Sequence, residues 1–279
     1  MNTANTERTT ATTYNVDTRN EKARLVSTIA RFFGVPERLS SENVSGVWVG
    51  SIMQEMSECG MMIAGGTITS IFSGGKVNDL DFYCYNVEDH KKAEAFLKKH
   101  FPTSCMVTRN AVTLKRRSDK SNHIYTVQLI TRFTGLPYEV MNWFDFTITQ
   151  GAYCFTENDF FFGERFFADL AKKKLVYLGS SMYPICAMYR TKKYQARGFT
   201  TPGSTIMHIA LSIIRLEIKT YRDLKDQLMG IDTMYLQGLL AGPGYQDDIP
   251  VDYGVFIKEA FEALNGFSEE DQREEAEGL

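Results

Sequence analysis

The stretch Met61-Met62-Ile63-Ala64-Gly65-Gly66-Thr67-Ile68-Thr69-Ser70, followed after a short gap by Asp79-Leu80-Asp81-Phe82-Tyr83-Cys84, decides how this chain is read. Met61 to Ala64 has the character of a short buried strand, Thr67 to Phe72 opens a helix, and Leu80 to Tyr85 reads as the next strand. Gly65 and Gly66 then form the turn between strand and helix, where backbone can approach a ligand closely and helix N–H groups point at it. In Asp79-Leu80-Asp81 the strand period puts both carboxylates on one face and Leu80 on the other. A cation explains two carboxylates gathered there, and Mg²⁺ suits them, because it accepts one or two carboxylates and completes its shell with water and substrate phosphates. Either half alone is commonly structural. Together, in the order strand, Gly-Gly, helix, strand, they predict phosphoryl or nucleotidyl transfer, with Gly65, Gly66 and Thr67 cradling phosphates and Asp79 and Asp81 holding Mg²⁺.

The same residues resemble the signature of the DNA polymerase β-like nucleotidyltransferase superfamily. The interval of thirteen residues from Gly66 to Asp79 is similar to that of its tRNA CCA-adding and bacterial poly(A) polymerase branch. Further stretches agree in the same order. Phe144-Asp145-Phe146-Thr147-Ile148 with Ala152-Tyr153 resembles that branch's Arg-Asp-Phe-Thr-Ile-Asn-Ala motif. Asp169-Leu170 with Lys172-Lys173-Lys174-Leu175 looks like its next segment. Tyr183-Pro184 through Arg190, Lys192 and Lys193 to Gly198-Phe199 is similar to its nucleotide-side helix. The resemblance implies an α+β fold, a small mixed β-sheet nucleotidyltransferase head with a helical C-terminal half. It implies a Mg²⁺-dependent enzyme that transfers NMP from an NTP to an acceptor hydroxyl, an RNA 3′ end (tRNA within this branch), with Asp145, Arg190, Lys193 and Arg197 orienting the nucleotide. The Gly65-Gly66-Thr67 sequence also looks like that of nucleotidyltransferase toxins, which act on tRNA or another macromolecule.

The chain departs from the family at definite places. Thr69 and Ser70 stand where an Arg-Asp pair is usual, and Trp143-Phe144 replace paired arginines. Where many members carry a third carboxylate on a later strand, the run Tyr125 to Ile130 offers Gln128, a neutral and weaker ligand. These departures motivate a third reading, an inactive nucleotide-binding module.

Other features set outer bounds. The 279 residues suffice for one large or two modest domains. Cys59, Cys84, Cys105, Cys154 and Cys186 are scattered with no Cys-x-x-Cys pair, which argues against a disulfide framework or zinc site and for a reducing compartment. No apolar run is long enough to span a bilayer, and the Thr-rich N-terminus lacks a signal-peptide core. A cytoplasmic protein with no membrane partner is expected. Net charge is −3, and the segment Ser268 to Leu279 holds six acids against Arg273. Lys172 to Arg197, by contrast, carries cations and no acid. The run is either a solvated helical face or a phosphate-binding one. Arg190, Lys193 and Arg197 share a helical face if the helix continues through them.

Organisation along the chain follows from periodicity and breakers. Residues 1–19 are expected as a disordered arm, 20–183 as the catalytic domain, 184–267 as a helical domain and 268–279 as an acidic disordered tail. Helices are expected over Glu21 to Phe33, Val44 to Met56 (with Val47, Ile52 and Met56 inward) and His90 to Phe101. Strands at Cys105 to Thr108, Val112 to Lys115 and Ile124 to Ile130 complete a mixed sheet of about five strands. C-terminal helices are expected over Ile185 to Arg197, Thr205 to Thr220, Tyr221 to Met229, Thr233 to Leu240 and Val255 to Leu264. Asp145, in an apolar setting, either caps a helix starting near Thr147 or contacts the nucleotide. Phe160-Phe161-Phe162 reads as core, and Tyr183, Tyr189 and Tyr194 as candidates for base stacking.

Overall fold

The computed structural model describes residues 16–38, 47–228, 245–255 and 258. The expected helix over Thr233 to Leu240, the acidic tail and most of the N-terminal arm lie outside the described residues. Chain contacts divide the protein into two compact units, 1–180 and 181–279.

The first unit is α+β. Its elements run α1 (Arg19–Phe33), α2 (Val49–Glu58), β1 (Met61–Ala64), α3 (Gly66–Ser73), β2 (Asp79–Cys84), α4 (Val87–His100), β3 (Thr103–Val107), β4 (Ala111–Arg117), β5 (Ile124–Thr134), α5 (Pro137–Met141), a 3₁₀ turn (Thr147–Thr149), β6 (Gly151–Cys154), β7 (Asp159–Phe162) and α6 (Phe166–Ala171). The strands form one seven-stranded sheet in the order β3-β4-β5-β2-β1-β6-β7. Only β2 and β5 pair in parallel; the other neighbours are antiparallel. The sheet is thus two strands wider than expected. Gly151-Ala152-Tyr153-Cys154 is buried at every position, so it lacks the alternation that marks a half-buried strand.

Several helix boundaries have local causes. α1 stops where expected, at Gly34, whose left-handed backbone (φ 67°) lets its N–H reach the carbonyls of Ala30 and Arg31. The guanidinium of Arg116 covers that helix end, donating to Phe32 O at 3.1 Å and Arg31 O at 3.4 Å. In α2, Val49, Ile52 and Met56 face the core, whereas Val47 lies ahead of the helix and is 49% exposed. The expectation that Val47 points inward is therefore corrected.

One sheet face packs against α1, α2, α3 and α4 through a continuous apolar core that includes Leu25, Ile52, Ile63, Leu80, Phe82, Leu97, Val127 and Leu129. The opposite face has its own cluster, where Met62, Ala64, Tyr83, Ala152 and Cys154 meet Val140 and Met141 of α5. Phe160 and Phe162 are buried as expected and pack edge-on to Phe72. The four described cysteines are free, and burial pushes the thiols of Cys84 and Cys154 up to about 12. No helix among the described residues is long and apolar enough to cross a membrane.

In the second unit the described helices are α7 (Pro184–Ala196), α8 (Gly203–Ile214) and α9 (Tyr221–Leu228). Cys186, Tyr221, Leu224, Leu228 and Tyr245 form its buried cluster. The helix expected through Thr220 ends at Ile214 instead. The Asp223 carboxylate takes the N–H groups of Lys219 and Thr220 and so fixes a new helix start just downstream.

Candidate active site

β1 delivers the chain to Gly65, whose φ of 81° and ψ of −134° are open to glycine and costly for any other residue. Its N–H donates to Gly151 O at 2.9 Å, which fastens the turn to β6. The helical ladder of α3 begins with Thr69 N donating to Gly65 O at 3.2 Å. The amides of Gly66, Thr67 and Ile68 therefore precede the ladder and form the positive end of the helix, suited to an anion. Thr67 is buried, and its hydroxyl donates to Asp79 O at 3.1 Å. That bond ties the Gly-Gly turn to the first residue of β2. What Thr67 presents toward a ligand is then its backbone amide more than its side chain.

Thr69 and Ser70 are buried too. The Thr69 hydroxyl donates to Ile148 O at 2.7 Å, binding α3 to the 3₁₀ turn. Ser73 and the Gly74-Gly75 turn close the C-terminal end of α3, with Gly75 N donating to Ser70 O at 2.8 Å.

Along β2 burial alternates: Asp79 and Asp81 are half-buried and Leu80 is fully buried. The carboxylates share one face, about 7 Å apart along the strand at 3.3 Å per residue. The parallel register sets Asp79 beside Thr126 and Asp81 beside Gln128. On the far side of β5, Lys115 pairs with Thr126 and Thr113 with Gln128. Among the described residues no group of three or more His, Cys, Asp or Glu side chains converges as a metal cage. Two carboxylates with an amide alongside fit a Mg²⁺ ion that takes its remaining ligands from substrate and water. They do not form a closed all-protein site.

Asp145 is 5% exposed. The 3₁₀ turn runs Thr147–Thr149 with Phe146 at its N-cap position, one residue after Asp145. The segment is held by backbone bonds from Thr147 N to Val176 O (3.0 Å) and from Leu178 N to Asp145 O (2.9 Å). Buried Asp169 secures it from below, accepting from the Thr147 hydroxyl at 2.8 Å and from Arg165 at 3.0 Å. No sequence signal short of the family resemblance could have paired residues 147 and 169. Phe144 approaches the glycine turn: a Cβ built on Gly65 would lie 3.8 Å from its ring. Its ring centroid is 5.8 Å from that of Tyr83. Trp143 stacks on Phe133, with ring centroids 5.5 Å apart.

The structure thus brings Gly65, Gly66, Thr67, Asp79 and Asp81 together in the first unit. Arg190 and Lys193 lie on α7 in the second unit. Arg197 falls at that helix's C-terminal cap, its guanidinium over the ring of Tyr194 at 5.9 Å. Tyr194 is buried against Phe199, which corrects its reading as a stacking surface.

Comparison with known proteins places this α+β chain beside two groups. A family profile described as "Gabija anti-defense 2 family protein" matches residues 39–173. The protein "Gabija anti-defense 2" of Bacillus phage SPbetaL7 is 30% identical over 170 residues, covering 61% of this chain and 41% of that protein. Among solved structures, a Thermotoga maritima CCA-adding enzyme complexed with tRNA is similar at a TM-score of 0.45 and 15% identity, over 72% of this chain and 49% of that one. A tRNA-processing enzyme in an apo form is similar at a TM-score of 0.46 and 18% identity, over 64% and 50% respectively. The chain spans half or less of the length of each of these relatives.

Proposed function

We propose that the chain is a Mg²⁺-dependent nucleotidyltransferase that moves NMP from an NTP to an acceptor hydroxyl, with an RNA 3′ end as acceptor. The observation that carries this reading is the bond from the Thr67 hydroxyl to Asp79 O. It joins the anion-binding start of α3 to the strand that presents Asp79 and Asp81, so a triphosphate and a metal would meet at one place. Mg²⁺ bound there would supply charge neutralisation at the phosphates and alignment for in-line displacement. Asp79 and Asp81 would hold it. The amides of Gly66, Thr67 and Ile68 bind the triphosphate oxygens, and Gly65 lets the backbone approach them closely. Asp145, in the segment that the Thr147–Asp169 bond fastens, orients the nucleotide. Gln128 beside Asp81 offers a neutral amide where a third carboxylate would add charge, which supports a site that would hold one ion.

The similarity to a phage protein named for anti-defense favours a second reading of the acceptor. Here the same transfer modifies a macromolecule of a bacterial defence system, or tRNA in the manner of a toxin, in the bacterial cytoplasm. An inactive nucleotide-binding module differs from both in turnover. Incubation with labelled NTPs, Mg²⁺ and total RNA tests these readings. Label should enter RNA and disappear with EDTA or with Asp79→Asn/Asp81→Asn, while the folded protein persists. Label found on protein alone would transfer the reading to a protein acceptor. Nucleotide binding with no incorporation would support the inactive module.

A further inference from the structure

The outer strands of the sheet carry charge that neither the carboxylate pair nor the glycine turn uses. Between Thr103 and Thr134 stand six cations (Arg109, Lys115, Arg116, Arg117, Lys120, Arg132) and a single acid, Asp119. The strand period sorts those on β4. Val112 and Leu114 are buried in the helix-covered core. Arg116 follows them to that face, where it is spent on the α1 carbonyls and lies over the Tyr125 ring at 5.2 Å. Lys115 and Arg117 belong to the opposite face, the one that carries Thr126, Gln128, Asp79 and Asp81.

Register makes the relation specific. Lys115 pairs with Thr126, and Thr126 pairs with Asp79, so the three form one row across β4, β5 and β2. At about 4.8 Å per strand, Lys115 and Asp79 are about 10 Å apart at the backbone. Lys115 is half-buried and Arg117 exposed. Among the described residues neither side chain has an ion-pair or hydrogen-bond partner. Cations held this close to a carboxylate pair, yet not neutralised by acids of their own segment, suit a ligand that brings regularly spaced negative charge.

We infer that this face of β4 and β5 docks the phosphate backbone of a nucleic-acid acceptor, with Lys115 and Arg117 as its contacts. The inference rests on the nucleotidyl-transfer reading. A strand whose reacting hydroxyl lies at Asp79 and Asp81 runs outward over Thr126 and Gln128 toward the two cations. A protein acceptor, with charges of both signs, gives no reason for β4 and β5 to present cations without acids beside them.

Fluorescence anisotropy of a labelled single-stranded RNA with the full chain, over a salt series, tests it. Lys115→Glu/Arg117→Glu should weaken binding about tenfold or more. It should also lower the slope of log affinity against log salt by about 1.4, two contacts at about 0.7 each. In the incorporation assay it should raise the acceptor KM and leave the NTP KM unchanged. Lys91→Glu/Lys99→Glu, on α4 beneath the other face, makes the same charge change and should leave the slope as it is. Equal weakening by both pairs, no weakening by the first, or no RNA binding by the parent chain would each overturn the inference. Asp79→Asn/Asp81→Asn separates the two claims, since it removes incorporation but should keep RNA affinity. Loss of incorporation there, with Lys115 and Arg117 without effect, leaves the transfer reading standing and the docking surface refuted.

Discussion

The two faces of β2 and β5 are built from alternate residues of the same strands and are held by different physics. On one, Leu80, Phe82, Val127 and Leu129 are fully buried, and burial of that kind contributes about 1.5–3 kcal/mol per large side chain. On the other, the end near Tyr83 is closed by α5 and its apolar neighbours, while the end with Asp79, Asp81 and Gln128 is polar and half-buried. The difference teaches that the fold does not depend on its candidate chemistry. The strand is anchored from one side, so its carboxylates can be arranged for a ligand instead of for packing. Asp145 and Asp169 follow another plan, in which buried carboxylates sit in a segment stitched by specific hydrogen bonds.

The largest expected contrast uses adjacent residues. Leu80→Ala should cost about 2–5 kcal/mol, by lost burial and the cavity left behind. Asp81→Asn should change stability by less than about 1 kcal/mol and take nucleotide incorporation to background. Urea unfolding beside the incorporation assay reads both. If Asp81→Asn unfolds the protein as readily as Leu80→Ala, the faces are not independent.

A smaller effect sharpens the comparison with the stitched segment. Asp169→Asn leaves the buried site with an amide where two donors converge, at a cost of about 1–3 kcal/mol. Because Arg165 is largely exposed, most of that loss belongs to the Thr147 bond, and Thr147→Val should reproduce it in a thermal melt. A wild-type melting temperature for both variants would remove Asp169 from its positioning role.

The smallest effect is a pH dependence on the helix-covered side. Burial lowers the pKa of His90, against an opposing influence of Asp89. Burial also lowers that of His100, helped by Lys99 and Arg116 and opposed by Glu55. The unfolded chain therefore binds more protons than the folded one just below the ordinary histidine pKa of about 6.5. Stability is complete above that pH and is lost as pH falls toward the lowered folded values. Denaturation midpoints at neutral and mildly acidic pH should show the loss, and His90→Gln/His100→Gln should diminish it.

Much of this was legible in the sequence where the signal was local. The turn at Gly65, the stop at Gly34 and the strand alternation through Asp79-Leu80-Asp81 each follow from a few neighbouring residues. β6 was not legible, because four consecutive buried residues have no period. Nor was the break between α8 and α9, where the Asp223 carboxylate caps a separate helix start. The expected face of Arg190, Lys193 and Arg197 is shortened because the helix ends at Ala196.

The sequence by itself therefore determined which side chains share a face of β2 and where backbone could approach a ligand, because a strand's period and a glycine's freedom act over a few residues. The tertiary structure alone decided that Gln128 is the strand neighbour of Asp81, that Lys115 and Thr126 continue the row from Asp79, and that Thr67 and Asp169 fasten the site. Such pairings depend on strand register and on hydrogen bonds closed across long loops. Their free energy comes from the packed core on the other side of the sheet, which no short stretch of sequence contains.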